Sequence, residues 1–291
     1  MLEWDVWLFA AVLIKFVIYI TSFLAVGSLL FLWMLKPVAD VVHRPLLRIS
    51  LIAATVSVIC TIFRISLQAG QLYDDGFVGL YDTEMIGLVL DGPLGMSSYV
   101  RLVGLGLLSV AILRPAIRIP LTLISAIIVA SSFALVGHAT QELVILGPLI
   151  SVHLIAVSYW LGGLYPLHKL ASSTDEVRIS GELAHKFGKQ AAIIVPILII
   201  VGIAFALYLV GSPIDLIGTE YGLLLLIKVA VVAVLLALAA LNKLRFVPAM
   251  LDGHEGAAHQ LRKSIRVEFA AFLIIFAITA VLTSAVNLPD M

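Results

Sequence analysis

Residues 133–170 read FALVGHATQELVILGPLISVHLIAVSYWLGGLYPLHKL. Two apolar runs are separated by one short polar break, Thr140-Gln141-Glu142. The second run is long enough to cross a bilayer, which takes about 20 mostly apolar residues. The first is the end of another such run. A short break between two membrane-length runs makes the two helices antiparallel neighbours. Each carries one imidazole, His138 at the end of the first and His153 about two turns into the second. At about 1.5 Å rise per residue, His153 lies on the order of 10 Å deep. Ala156, Trp160 and Gly163 follow at helical spacing and share its face.

The rest of the chain has the same character. Of its 291 residues, 62% are hydrophobic and 12% charged, and mean hydropathy is +1.15. A water-soluble domain carries roughly 25% charged residues, so this chain lacks the polar surface to cover a soluble fold. The fold class is therefore all-α, a polytopic membrane protein whose lipid-facing surface makes the bilayer its first partner. Eight segments qualify as spanning helices: about 7–34, 46–70, 96–113, 119–139, 146–167, 190–211, 220–244 and 266–286. Together they read as one transmembrane domain over 1–291. The first run is too long for a signal-peptide core and is expected to be a retained helix.

Basic residues set the orientation, because loops on the cytoplasmic side retain them. Fourteen of the 18 Lys and Arg fall in the loops after the first, third, fifth and seventh segments. The opposite loops and both ends hold none and carry acids instead, including Asp5, Asp74, Asp75, Asp82, Glu84, Asp91, Glu142 and Asp290. Both termini and the 140s loop are thus expected outside the cytoplasm. The outer connection 71–95 reads as a surface loop or lid. The inner stretch 171–189 reads as an amphipathic segment at the membrane surface.

Net charge is zero, so no general attraction to nucleic acid is expected. A single cysteine, Cys60, rules out a disulfide within the chain and a multi-cysteine zinc site. There is no GxxxxGK[ST] loop and no DKTG-type sequence. No enzymatic activity is expected, and any transport would follow a gradient, a partner or an ion.

Two imidazoles near one mouth suit Cu(I), Cu(II) or Zn. The plainer alternative is that each bonds a backbone carbonyl and ties helices together. Met85 and Met96 fall on the same side and would add thioethers, a set favouring Cu(I), although methionines in such a chain also simply pack. Four cations, Lys15, Arg64, Arg101 and Lys228, lie inside predicted helices, as does one acid, Glu268. Charges at these depths need partners, water or a functional reason. The outer acids are candidate partners for the cations, and snorkelling is an alternative for Lys15. Glu268 is expected to pair with an inner cation, Arg266 or Arg245.

Several residues together resemble the CopD-type copper-resistance membrane proteins. These are Gly137-His138-Ala139; His153, Ala156, Trp160, Gly162, Gly163 and Leu164; and Tyr221-Gly222 with Leu225 and Lys228. Ala240, Asn242 and Pro248, then Arg262, Ile265 and Glu268, continue the series. His185-Lys186-Phe187-Gly188 follows that pattern only loosely. The resemblance implies eight helices in the inner membrane and copper moved from periplasm to cytoplasm. It also implies a small periplasmic copper-binding partner and His138 and His153 as copper ligands. Trp160, Arg101, Lys228, Arg64 and Glu268 are then supporting or gating residues. A different class stays open: a haem b- or quinone-linked redox protein, with the two histidines as axial ligands and Arg64, Arg101 or Lys228 holding propionates. A copper-delivery assembly factor would use the same site.

Overall fold

The computed structural model describes residues 5–35, 40–73, 76–136, 143–172, 177–210 and 215–284. Eleven α-helices occur among them: α1 (Val6–Met34), α2 (Asp40–Leu72), α3 (Thr83–Asp91), α4 (Pro93–Leu113), α5 (Arg118–Ser132), α6 (Leu143–Leu170), α7 (Val177–Val210), α8 (Asp215–Gly218), α9 (Glu220–Leu241), α10 (Val247–Leu251) and α11 (Ala257–Leu282). Short 3-10 turns cover Gly76–Tyr81, Pro115–Ile117 and Phe133–Leu135, and a π-helical turn covers Asn242–Phe246. There is no strand among the described residues. Eight helices (α1, α2, α4, α5, α6, α7, α9 and α11) are long and apolar enough to cross a membrane, α5 with the turns that flank it and α9 with the π turn and α10 that follow. A bilayer demands this outcome, since every backbone group must find a partner within its own segment.

Helix starts follow from local chemistry. Asp5 caps α1 by accepting from Leu8 N at 2.6 Å, and Asp82 caps α3 through Met85 N at 2.8 Å. Thr219 does the same for α9 through Gly222 N at 3.0 Å. Pro93 opens α4, where its missing N–H costs nothing. Pro45, Pro148, Pro166 and Pro196 sit inside helices, as membrane helices tolerate when neighbours satisfy the freed groups.

α1 is the axis of the bundle. It packs on α2, α6 and α11, with further contact to α5 and α4. Its approach to α6 is closest at Gly27 and Gly162, where each glycine faces the other helix's backbone. Small residues permit such an approach in membrane helices. Hydroxyls stitch other pairs: Ser22 to Ser57 at 2.7 Å and Ser50 to the Ala25 carbonyl at 2.7 Å join α1 to α2. Ser97 donates to the Ser132 carbonyl at 2.7 Å and joins α4 to α5. A column of aromatic rings runs through the core: Tyr19, Phe133, Phe23, Phe276, Phe272 and Trp160, with successive centroids 5.1–5.9 Å apart. α9 stands at the edge. It packs chiefly on α11, and along its length only Tyr221, Gly222 and Leu235 are buried.

Two sequence expectations are corrected. The stretch read as a surface loop or lid is largely helical: the 3-10 turn Gly76–Tyr81 packs on α2, and α3 packs on α2 and α4. Residues 177–189 are not a separate surface segment, because α7 runs unbroken from Val177 into the bilayer-length portion. α11 likewise begins at Ala257, nine residues before the apolar window. Apolar windows find the part of a helix that lipid touches. The polar first turns continue the same hydrogen-bond ladder beyond it.

Candidate functional site

The bundle has an acidic end, with α3, α8, the first turn of α6 and Thr283, and a basic end with the first turns of α2, α7 and α11. His153 lies on α6 in the acidic-end half and is half-buried. Its Nδ1 is buried and has no hydrogen-bond partner among the described residues. A buried ring nitrogen without a partner is uncommon, and it is the atom a metal or a donor would use. Lys228 of α9 lies within electrostatic reach of this imidazole. Lys228 makes no hydrogen bond or ion pair with a described residue. His138, the other expected ligand, lies outside the described residues.

The two methionines are placed elsewhere. Met85 of α3 packs in an apolar cluster with Ile65, Ala69 and Val89, none of them from α6. Met96 is exposed in the first turns of α4. The structure brings neither beside His153. Among the described residues, no three His, Cys, Asp or Glu side chains converge on one metal position.

A second polar centre lies deeper, toward the basic end. Glu268 of α11 is 3% exposed. Trp160 Nε1 of α6 donates to its Oε2 at 3.1 Å. Asn242 Nδ2, at the start of the π-helical turn, donates to its Oε1. The expected ion pair with Arg266 or Arg245 is not formed. Arg266 instead donates to His168 Nε2 at 3.2 Å, and the two neutral donors hold the Glu268 carboxyl group. The physical reason is direction: residues two apart on a helix point to different faces. Asn242 Oδ1 is buried without a partner. π-helical turns recur at functional positions in membrane and soluble helices alike. Nearby, Tyr159 donates to Gln190 Oε1, and Gln190 Nε2 donates to the Met34 carbonyl at 3.1 Å. A small cleft at the basic end, lined by His185, Lys189 and Lys243, lies between α7 and that π-helical turn.

The remaining intramembrane cations gather near the acidic end. Lys15 Nζ donates to the Thr283 carbonyl at 2.6 Å and its hydroxyl at 3.2 Å, so it does not simply snorkel. Arg101 is 5% exposed and bonds Ser132 Oγ at 3.2 Å and Ser97 Oγ at 3.0 Å. Its guanidinium carbon sits 4.2 Å above the Phe133 ring centroid. Arg64 reaches Gln68 Oε1 at 2.9 Å. Among the described residues, the expected pairing of these cations with acids is not found.

Sequence reasoning did not find the partners Asn242, Gln190, Tyr19, Ser97, Ser132 and Thr283. The available signal was depth. Each is a polar group inside a spanning helix or, for Thr283, at its end, at the level of another polar group that also needs a partner.

No curated protein and no solved structure matches the chain. A family model described as Copper resistance protein D matches residues 181–282. A second, described as Copper resistance protein D-like, N-terminal domain, matches residues 1–145. Glu268, Asn242 and Lys228 fall within the first match and Lys15, Arg64, Arg101 and His138 within the second. His153 and Trp160 lie between the two. With both models matched in order along an eight-helix bundle, the chain belongs to the CopD-type family of copper resistance membrane proteins.

Proposed function

We propose that this protein is a copper permease of the inner membrane, carrying copper from the periplasmic or extracellular side toward the cytoplasm. Copper, as Cu(I) or Cu(II), is its cargo, and the protein performs no catalysis. Capture takes place at the acidic end, which faces outward together with both termini, on His138 and His153. The whole chain acts as one transmembrane domain, supplied by a small periplasmic copper-binding protein. The observation that carries the reading is the buried Nδ1 of His153, unpartnered among the described residues, in a member of a copper-resistance family. Inward of it, the Trp160–Glu268–Asn242 centre supplies a carboxyl group from α11, an indole from α6 and an amide from the π-helical turn after α9.

The test is metal content and an absorption spectrum of purified protein, for wild type and a His138→Ala/His153→Ala variant. Copper retained by wild type and lost in the variant supports the reading, with uptake into liposomes as its second step. Copper retained by both refutes the two-histidine site. Copper bound without flux would instead fit delivery to a cuproenzyme.

A second reading, a haem b- or quinone-linked redox protein, is favoured by one observation: the clustered cations Lys15, Arg64 and Arg101 lack acidic partners among the described residues. A Soret band that disappears in the double-histidine variant would select it.

A further inference from the structure

We propose that Lys15, Arg64 and Arg101 form a binding site for one oxyanion group, a carboxylate or phosphate, near the acidic end of the bundle. The inference does not rest on the copper reading, because it uses none of the residues around His153.

The site is assembled from four helices. α1 supplies Lys15 and Tyr19, α2 supplies Arg64, and α4 supplies Arg101. Thr283, just beyond α11, binds the Lys15 ammonium and meets the Tyr19 hydroxyl at 3.1 Å. Phe133 lies between Tyr19 and Arg101, its ring 5.4 Å from one and 4.2 Å from the guanidinium of the other. Lys15 lies within electrostatic reach of both arginines, and so does Tyr19. These like charges are therefore held in one region, against their mutual repulsion.

Arg101 and Lys15 each have acceptors that fix their direction. Arg64 has only one, Gln68 Oε1 at its Nη2, while its Nε and Nη1 are buried and have no partner among the described residues. Nε and Nη1 lie in the guanidinium plane on two different edges, each edge shared with Nη2, whose second N–H is left to complete one of them for an incoming acceptor. A guanidinium keeps its charge in proteins and presents its N–H groups in a planar fork. Leaving such donors unsatisfied in a membrane interior costs free energy, and an oxyanion pairs with one edge of the guanidinium with matching geometry. The region reaches the surface of the bundle, since Lys15 and Arg64 are half-buried and Thr283 is exposed. A phosphate group could arrive on an anionic lipid or as a free solute, and the experiment separates these sources.

The full chain is purified in neutral detergent, freed of anionic lipid, and melted in two series. One adds inorganic phosphate against chloride at constant ionic strength. The other places the protein in nanodiscs of phosphatidylcholine with or without phosphatidylglycerol. Wild type and Arg64→Gln are compared, with Arg64→Lys as the charge-preserving variant. Arg101 is left intact, because its bonds to Ser97 and Ser132 make it part of the α4–α5 packing.

The expected result is a rise in wild-type Tm with anion, continuing with the logarithm of its concentration. Arg64→Gln should lose that rise and Arg64→Lys should keep part of it. A rise with both probes marks the phosphate group as sufficient. A rise with phosphatidylglycerol alone marks a lipid headgroup. Without anion, Arg64→Gln should melt no lower than the loss of its one bond to Gln68 explains, since it also removes an unsatisfied charge. The proposal is overturned if neither probe moves the wild type, or if Arg64→Gln responds as wild type does. A fall in the Tm of Arg64→Gln in anion-free detergent larger than the loss of its one bond to Gln68 explains also overturns it, because a carboxylate of the chain would then already occupy the guanidinium.

Discussion

Adding a single carbon at the crossing of α1 and α6 should unseat the centre of the bundle. A β-carbon on Gly27 would lie 2.6 Å from the Ser158 carbonyl carbon, with the carbonyl oxygen closer still, and 3.1 Å from Gly162 N. One on Gly162 would lie 2.7 Å from Ser28 N. Ordinary contact begins near 3.4 Å, so the helices must part by roughly 1 Å. A gap of that size forfeits about a quarter to a half of each dispersion contact along the seam. The opposing atoms are backbone on both sides and cannot rotate away. The cost should therefore reach the top of the usual overpacking range, about 3 kcal/mol. That corresponds to a fall in Tm of roughly 5–10 °C by the scaling for chains of similar size. Thermal unfolding of Gly27→Ala and Gly162→Ala in detergent measures it. Gly106→Ala is the control, because a β-carbon there meets nothing within 4 Å, and it should gain up to about 1 kcal/mol of helix propensity. The double variant should cost less than the sum, since the first alanine has already opened the seam. A Gly162→Ala variant as stable as Gly106→Ala would refute the close crossing.

Trp160→Phe keeps most of the ring packing on Phe272 and removes the donor to Glu268, so it should cost about 1–3 kcal/mol. In a Glu268→Leu background the same change should cost less by about 1 kcal/mol, and equal costs in both backgrounds would show that the two side chains are not coupled. If His153 holds copper as proposed, Lys228→Met should tighten that binding. Lys228 lies within electrostatic reach of His153, and removing a like charge there should lower the Kd of a bound cation roughly tenfold. Competition with a chromophoric copper chelator reads this directly, and an unchanged Kd would separate Lys228 from the metal. Tyr19→Phe deletes one contact to Thr283 and leaves Lys15's two in place, so Tm should fall by only about 1 kcal/mol in equivalent stability.

The spans were legible because their physics is local. A run such as residues 6–34 has to be a helix in lipid whatever its neighbours do. The close pairing of α5 with α6 was equally legible, since only a short break joins them. What stayed hidden depends on side-chain direction. Glu268 and Arg266 are neighbours in sequence, and a charge count pairs them. On α11 they point apart, Arg266 to His168 and Glu268 to an indole and an amide from two other helices. α3 was missed for a different reason. Its nine residues, Thr83–Asp91, are too short to signal a span, and its mixed polar and apolar sequence resembles a loop until α2 and α4 cover one face. Met85 followed from the same error. Read as a loop thioether it is free to reach a metal, but within α3 it faces the cluster around Ile65 and Val89.

The charge arrangement constrains how a metal cation can travel through this bundle. Near the acidic end stand Lys15, Arg64 and Arg101, with Lys228 beside His153, and no described carboxylate pairs with them. Each unit charge at about 10 Å opposes an incoming monovalent cation by roughly 1.5–2 kcal/mol at an effective dielectric of about 20. Several acting together would exclude a bare ion from the mouth. Past them the sign of the available chemistry changes: Glu268 supplies carboxyl oxygens held by neutral donors, and no described cation is bonded to it. A copper ion whose charge is already offset by an anionic ligand avoids the first barrier, and so does one released directly onto His153 by a docked protein. Two arrangements therefore fit the electrostatics: delivery from a partner, and an oxyanion resident beside Arg64 that neutralises part of the cluster before the metal arrives. They separate experimentally. If a resident oxyanion is what lowers the barrier, copper uptake by Arg64→Gln becomes independent of phosphate and anionic lipid while wild type remains dependent on them. If delivery alone matters, both proteins take up copper from the loaded partner at rates that neither anion changes.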